Sequence, residues 1–554
     1  MLGLPVTTQE HLEELIEELG FEPAIELVSI LAARVAGAGR GAPAQLRLAE
    51  MVFAGSPYLD LIRSALRENP GTHVFAEQNI YALMQLLIDR AAPRQIGRGV
   101  NSREQPLLNR SLLAVAALVD VDHDDLADEF AGGEDWLPYL IKLSSYYSHP
   151  QVMEEVTRAE LLLEIARSPA AGQFENYCPI DEWFEEGLGL SAAEQTRLMM
   201  AFAASSNAFD GTNTKTHISA EAVENLLRTA RLEDKRDESL SLIAATREEF
   251  RQALAGLGEG VRRLLWELRP FKSRPFLLCE NGDLILLSPR FIESWFSEGF
   301  HHRALNLARE KNVAPRYMAF AGRLYESHCV ELARDAHSGM PGVQVHGDQP
   351  YTRGKAGKTC DVAVDYIADL VLVEATNSRF KATTLTGGGR EDAHRDLERV
   401  LVGKCRQLNA CIDRVLAGDA PFPDDLSQVK NIWPIVVSAG VPMQTPPLWN
   451  FLAEHLPGAF TQARVRPLTL LDPEEYELLC GLVEGGTLLP DLLARKTSEA
   501  YRYLDLKAWL ADDPQAPRPK RRASMIERAF SEATQRIANE MSFAKPEPEA
   551  AFDQ

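Results

Sequence analysis

No stretch of the sequence reaches the ~18 consecutive apolar residues that a membrane-spanning helix needs, so no transmembrane segment and no membrane partner are expected. The amino terminus, MLGLPVTTQEHLEELIEEL, lacks the basic segment leading into an apolar run that marks a secretion signal. Cysteine is sparse: seven residues, an odd number, with no CxxC pair. That argues against a disulfide scaffold or a zinc site, and for reduced thiols in the cytoplasm. Positive charge is short as well. Lys and Arg number 58 against 80 Asp and Glu, a net charge of −22, which excludes a basic nucleic-acid-binding surface over the whole chain. Several catalytic motifs are missing. Gly387-Gly388-Gly389 opens neither a phosphate loop nor a dinucleotide fingerprint, and Ser438-Ala439-Gly440 is not a nucleophile elbow. His301-His302 has no partner His or Cys at ligand spacing.

What is present is an ordinary globular composition, 45% hydrophobic and 25% charged, over 554 residues. Residues 1 to 265 read as almost entirely helical. Thr7-x-x-Glu10 and Ser191-x-x-Glu194 are capping boxes, in which a hydroxyl and a carboxylate reciprocally satisfy the first free N–H groups of a helix. Arg274–Pro289 holds two short apolar runs around Asn281-Gly282, a strong hairpin signal. A lone hairpin is marginal, so Arg269–Glu310 is expected to bridge to, and pack on, the domain that follows. Near the carboxyl end, Asp512–Lys520 carries three prolines and reads as a linker. The basic cluster Arg518–Arg522, a helix to about Met541 and a polar tail, Pro546–Gln554, follow it.

The most informative stretch is Lys358–Phe380. Two runs rich in valine, leucine and isoleucine, Thr359–Tyr366 and Leu370–Thr376, flank Ile367-Ala368-Asp369 and predict an antiparallel hairpin of buried strands. Asp361 interrupts the first run and Glu374 the second. Alternation along the strand puts Leu372, Glu374 and Thr376 on one face and Val371, Val373 and Ala375 on the other. Buried carboxylates are costly unless paired, hydrogen-bonded or bound to a cation. Two converging at neighbouring strand ends would form an oxygen-lined pocket for a hard divalent ion. Asp365, nearer the turn, is expected to be a surface acid.

An acid on one strand and a Glu on the next resemble the PD-(D/E)XK, or restriction-endonuclease-like, nuclease superfamily. The flanks resemble it too, over about Tyr317–Leu471: a preceding helix, Tyr317–Ala336, bears Glu326, and a following helix, His394–Val415, contains Gly403-Lys404-Cys405-Arg406-Gln407-Leu408. The resemblance implies a metal-dependent nuclease that hydrolyses DNA phosphodiesters with Mg²⁺ or Mn²⁺, with RNA as an alternative substrate. It implies that Glu326, Asp361, Glu374 and the Ala375 carbonyl hold the metal. It also implies αβββαβ order, with strands at Val343–His346, Ile432–Ser438 and Arg464–Leu471. One departure is plain: the family's lysine two residues past the Glu is Thr376 here, which carries no charge. Lys404 is the candidate replacement, with Gln407 three residues on to orient it and Lys381 and Arg379 as further options. A Lys404 nitrogen beyond ~6 Å from the carboxylates would defeat that assignment.

The expected fold class is a multidomain α+β protein. A large all-helical amino-terminal region precedes a PD-(D/E)XK-like αβββαβ domain with a mixed sheet. The expected segments are a helical partner-binding or regulatory region (1–265), a bridging hairpin and helix (266–312), the nuclease-like domain (313–497), and a linker with a helix (498–554). A cytoplasmic nuclease whose helical amino-terminal region recognises a protein partner or regulates the site would suit defence against foreign DNA, and a homo-oligomer is a further expected association. The alternative is a catalytically degenerate scaffold that keeps the fold and binds nucleic acid or protein.

Overall fold

The computed structural model describes residues 8–37, 42–69, 74–93, 104–129, 136–147, 152–208, 213–255, 266–353, 357–386, 389–518 and 522–541. It divides into two compact units: Met1–Ala131 with Ile180–Leu307 and Thr534–Gln554, and Gly132–Pro179 with Ala308–Ala533.

The first unit is mostly helical. Helices Phe21–Gly37 and Glu77–Arg90 bury long apolar faces that include Ile25, Val28, Leu83 and Leu87. Ser191 and Glu194 form the expected capping box at the start of Ala192–Ser205. At the amino terminus the cap is Thr8, whose hydroxyl accepts from the His11 N–H at 3.2 Å, one residue on from the expected Thr7, which lies outside the described residues. The region is not all-helical. Strands β1 (His217–Ile218) and β2 (Ala244–Thr246) join β3 (Phe276–Leu278) and β4 (Leu284–Leu286) in a sheet of order β1-β4-β3-β2. The β3–β4 hairpin is the one expected around Asn281-Gly282. Within this unit β1 and β2 supply the neighbours that a lone hairpin lacks. β1 and β2, two and three residues long and without a turn signal between them, are too short to show alternation, so nothing in their own sequence marks them.

The second unit carries a five-stranded sheet of order β5-β6-β7-β8-β9: Gln344–Gly347, Val362–Asp365, Asp369–Thr376, Asn431–Ser438 and Thr469–Leu471. The first three strands form an antiparallel meander, and β7, β8 and β9 run parallel. The parallel step from β7 to β8 demands a crossover, supplied by Arg390–Leu397, a π-helical turn over Glu398–Val402, and Gly403–Leu416. The preceding helix is Ala314–His337, so the order is αβββαβ with a further strand. Pro434 sits inside β8, where a missing N–H would normally break the ladder. Its nitrogen side faces the short gap between the Arg466 bond to Ile432 and the start of β9 at Ile435–Thr469.

Side-chain parity splits the core into two layers. Val362, Val364, Val371, Val373 and Ala375 face Tyr325, Cys329 and Leu332 of the Ala314–His337 helix. Ala363, Leu370 and Leu372 face Leu401, Cys405 and Leu408 of the crossover. Residues from Gly132–Pro179 complete both layers, Leu161 on the first and Leu137 and Ile141 on the second, which is why that segment belongs with the sheet. The Gly-rich break at Thr386–Arg390, the Arg518–Arg522 cluster and the Pro546–Gln554 tail fall partly or wholly outside the described residues.

Candidate functional site: an acidic strand pair under a helical lysine

The site grows out of the β6–β7 register. Val362 pairs with Val373, so the next residues outward, Asp361 and Glu374, stand opposite one another at the end of the hairpin. Asp361 lies one residue before β6 begins, and its side chain continues the ladder in place of the backbone. The Ala375 N–H donates to Asp361 Oδ2 at 2.8 Å. The N–H and C=O of one strand residue point to the same side, so the Ala375 carbonyl also faces this side, beyond the last β6 pair. The Thr376 carbonyl points the other way and accepts from Ala439.

Glu374 lies on the crossover face, as parity requires, and only 1% of its side chain is exposed. The crossover brings Lys404 above it: Nζ donates to Glu374 Oε2 at 3.2 Å, and the lysine is about a fifth exposed, at 21%. The other carboxylate oxygen, Oε1, is buried and has no hydrogen-bond partner. Burial, then the facing Asp361 charge, push the Glu374 carboxyl up to about 9, against the pull of Lys404. Asp361 is raised by burial, with Lys404 and the Ala375 N–H opposing. Burial disfavours the Lys404 ammonium, yet Glu374, Asp361 and Glu326 outweigh it and hold the lysine above its usual value.

Glu326 enters from the Ala314–His337 helix. Burial and Asp361 raise its carboxyl, so it shares the field of the strand pair. Its partner is Arg323, whose Nη1 donates to Oε2 at 2.9 Å. The same guanidinium forks onto Asp348, just past β5, at 2.9 and 3.1 Å, and Lys358 Nζ reaches Asp348 at 2.6 Å.

The remaining candidates lie further out. Thr376 is buried beside Glu374, and its hydroxyl accepts from the Ser378 N–H at 3.1 Å. Gln407 is exposed on the next turn after Lys404, and Lys381 is exposed while its backbone N–H is held by Asp396 at 2.6 Å. Asp365 accepts from the Ile367 N–H at the hairpin turn, a turn-capping role. Sequence reasoning did not pick out Arg323, Asp348 or Lys358. The i, i+3 spacing of Arg323 and Glu326 was the available signal, but Asp348 has no motif around it.

In donor chemistry the site suits a hard divalent cation: carboxylate oxygens, a carbonyl clear of the ladder, and a buried oxygen without a partner. Among the described residues, however, no three His, Cys, Asp or Glu side chains are drawn together closely enough to hold a metal ion. The strand pair converges, and Glu326 is turned toward Arg323. All seven cysteines are free and buried; Cys411 Sγ accepts from the Cys360 N–H at 3.3 Å directly behind Asp361. No helix among the described residues is long and apolar enough to cross a membrane. Comparison with family models, curated proteins and solved structures finds no match to this chain.

Proposed function

We propose that the second unit is a divalent-metal-dependent nuclease that hydrolyses DNA phosphodiester bonds. The observation that carries this reading is the Lys404–Glu374 contact of 3.2 Å over a facing Asp361. Two strand carboxylates and one ammonium thus meet at a sheet end, although the strand position that would ordinarily hold the lysine is Thr376. The αβββαβ order, with antiparallel meander and parallel crossover, supports the same reading.

Each residue has a definite task. Asp361, Glu374 and the Ala375 carbonyl would hold a Mg²⁺ or Mn²⁺ ion, with Glu326 as a further ligand, and the ion would supply Lewis-acid polarisation of the phosphodiester. Lys404 presents a fixed positive charge where negative charge develops on the phosphoryl oxygens, in a partly buried site where that charge is weakly screened. Asp361 is kept in orientation by the Ala375 N–H. The local charge is compatible with a phosphate backbone: residues 351–410 hold ten Lys and Arg against eight Asp and Glu, unlike the acidic chain as a whole.

The test is cleavage of supercoiled plasmid and single-stranded DNA with Mg²⁺, Mn²⁺ or EDTA, for wild type, Glu374→Ala and Lys404→Met. The expected result is metal-dependent nicking, abolished in the first variant and reduced at least about 100-fold in the second. A second reading, a degenerate scaffold that binds without cleaving, is favoured by Thr376 and by Glu326 standing apart from the strand pair. Absence of cleavage by wild type with either metal selects it.

A further inference from the structure

Glu326 shares the electrostatic field of the strand pair, yet its carboxylate is tied elsewhere. Arg323 and Glu326 are three apart on the Ala314–His337 helix and therefore neighbours on one face. The guanidinium is divided unequally between two acids. Asp348 receives a two-armed fork (2.9 and 3.1 Å) and a second cation, Lys358, at 2.6 Å; Glu326 receives one arm, at 2.9 Å. A planar guanidinium that keeps a bidentate carboxylate stays oriented when its single-armed partner leaves. Glu326 and Arg323 are also partly solvated, 24% and 33% exposed, so their pair is among the weaker ones at the site.

We infer that Arg323 is a positioning residue that holds Glu326 away from the Asp361–Glu374 pair and yields it when a divalent cation binds, with Asp348 retaining the guanidinium. The inference rests on the reading of the strand pair as a cation site. It accounts for two observations together. Asp361 acts electrostatically on both Glu326 and Glu374, but among the described residues no three His, Cys, Asp or Glu side chains are close enough to hold a metal ion. The Glu374 Oε1 atom is buried and without a hydrogen-bond partner, so one oxygen of the strand pair is not engaged by the protein. In this scheme the resting site is held by two contacts, Lys404–Glu374 and Arg323–Glu326, and only the second must open for a third carboxylate to arrive.

Binding of Mn²⁺ to the full chain, followed by the electron paramagnetic resonance signal of the free ion, tests this without DNA or turnover. Arg323→Met should tighten Mn²⁺ binding about three- to fivefold, the upper end of the scale on which an exposed ion pair is lost. Removing a positive charge also attracts cations through space, so the deciding comparison is the same substitution in a Glu326→Gln background. There the gain should shrink to less than about twofold, because the released carboxylate is gone. Asp348→Asn should weaken binding in the wild-type background, by leaving Arg323 with Glu326 alone, and should lose most of that effect beside Arg323→Met. This second cycle serves if the Glu326 variants fold poorly. An equal gain from Arg323→Met with and without Glu326 overturns the clasp and leaves the cation site standing. No Mn²⁺ binding by wild type or any variant overturns both. Coupled binding without DNA cleavage upholds the clasp and sinks the nuclease.

Discussion

Glu374 gives a sharp test because its burial has a calculable consequence for stability. The carboxyl is raised from an ordinary 4.5 to about 9 by burial and by Asp361. Between those values the folded chain binds a proton that the unfolded chain has released, so stability falls as pH rises through this window. At pH 7 the distance from 4.5 corresponds to about 3 kcal/mol of lost stability, and at pH 9 to about 6 kcal/mol, as upper bounds. Glu374→Gln removes the titrating group while keeping shape and one acceptor. Lys404 loses its nearest partner in that variant but is a fifth exposed and keeps Asp361, which offsets part of the gain. The expected net is a variant about 1–2 kcal/mol more stable at pH 7, with the gain larger at pH 9 and gone below about pH 4.5. Urea-unfolding midpoints of both proteins at pH 4.5, 7 and 9 measure this directly. A variant that is less stable at every pH, or whose gain is the same at all three, refutes the reasoning. A stabilised but inactive variant would mark Glu374 as a residue kept for chemistry at a cost in stability.

Other outcomes follow from the packing. Arg158 forks onto Glu477 at 2.7 and 2.9 Å, also binds Glu155, and with its charge brings Glu477 down to about 2 against the effect of burial. Arg158→Met should therefore lower the stability of the second unit by about 3–5 kcal/mol, and Glu477→Gln in the same chain should recover part of it, both read from urea unfolding. An alanine Cβ at Gly440 would stand 2.6 Å from Val400 Cγ1 and 3.0 Å from the Ser378 carbonyl, so Gly440→Ala should cost about 1–3 kcal/mol and displace the loop that leaves β7. Ile367 has φ of 72° at an exposed hairpin turn, a conformation that disfavours branched side chains. Ile367→Asn should raise the unfolding free energy by about 1 kcal/mol without altering metal binding.

The centre of the site was legible in the sequence because it breaks a strong pattern. Two nearly continuous apolar runs have one carboxylate each, and alternation alone assigns Glu374 and Thr376 to a common face. Ser191 and Glu194 were legible for the converse reason, a local rule satisfied within four residues. What escaped depends on contacts between distant parts of the chain. Nothing local to β1 or β2 marks them as strands, since their partners lie about 30 to 70 residues away and each offers two or three residues to the ladder. Nor does Trp136–Tyr147 differ in composition from its helical neighbours, although Leu137 and Ile141 complete the apolar layer over β7. Asp348 is a lone acid past a short strand, and its importance comes entirely from Arg323 and Lys358 arriving from elsewhere.

The position of Lys404 is itself a consequence of the crossover. A β7-to-β8 parallel step must pass over one face of the sheet, and the face it covers is the one that carries Glu374. Along that crossover the regular helix is interrupted just before the lysine, where the Gly403 N–H bonds to the Glu398 carbonyl five residues back. Such a turn admits one residue more than an α-helical turn, and each residue advances the helical phase by about 100°. Without the extra residue, every side chain after Val402 would be rotated by that amount, and Lys404 would leave the sheet face that Cys405 and Leu408 help to seal. The π-helical turn thus sets the phase that lets a helix deliver an ammonium to a carboxylate pair whose own strand offers only threonine. Lys404 therefore reaches Glu374 through the combined effect of strand parity, crossover side and helical phase, which no single stretch of sequence encodes.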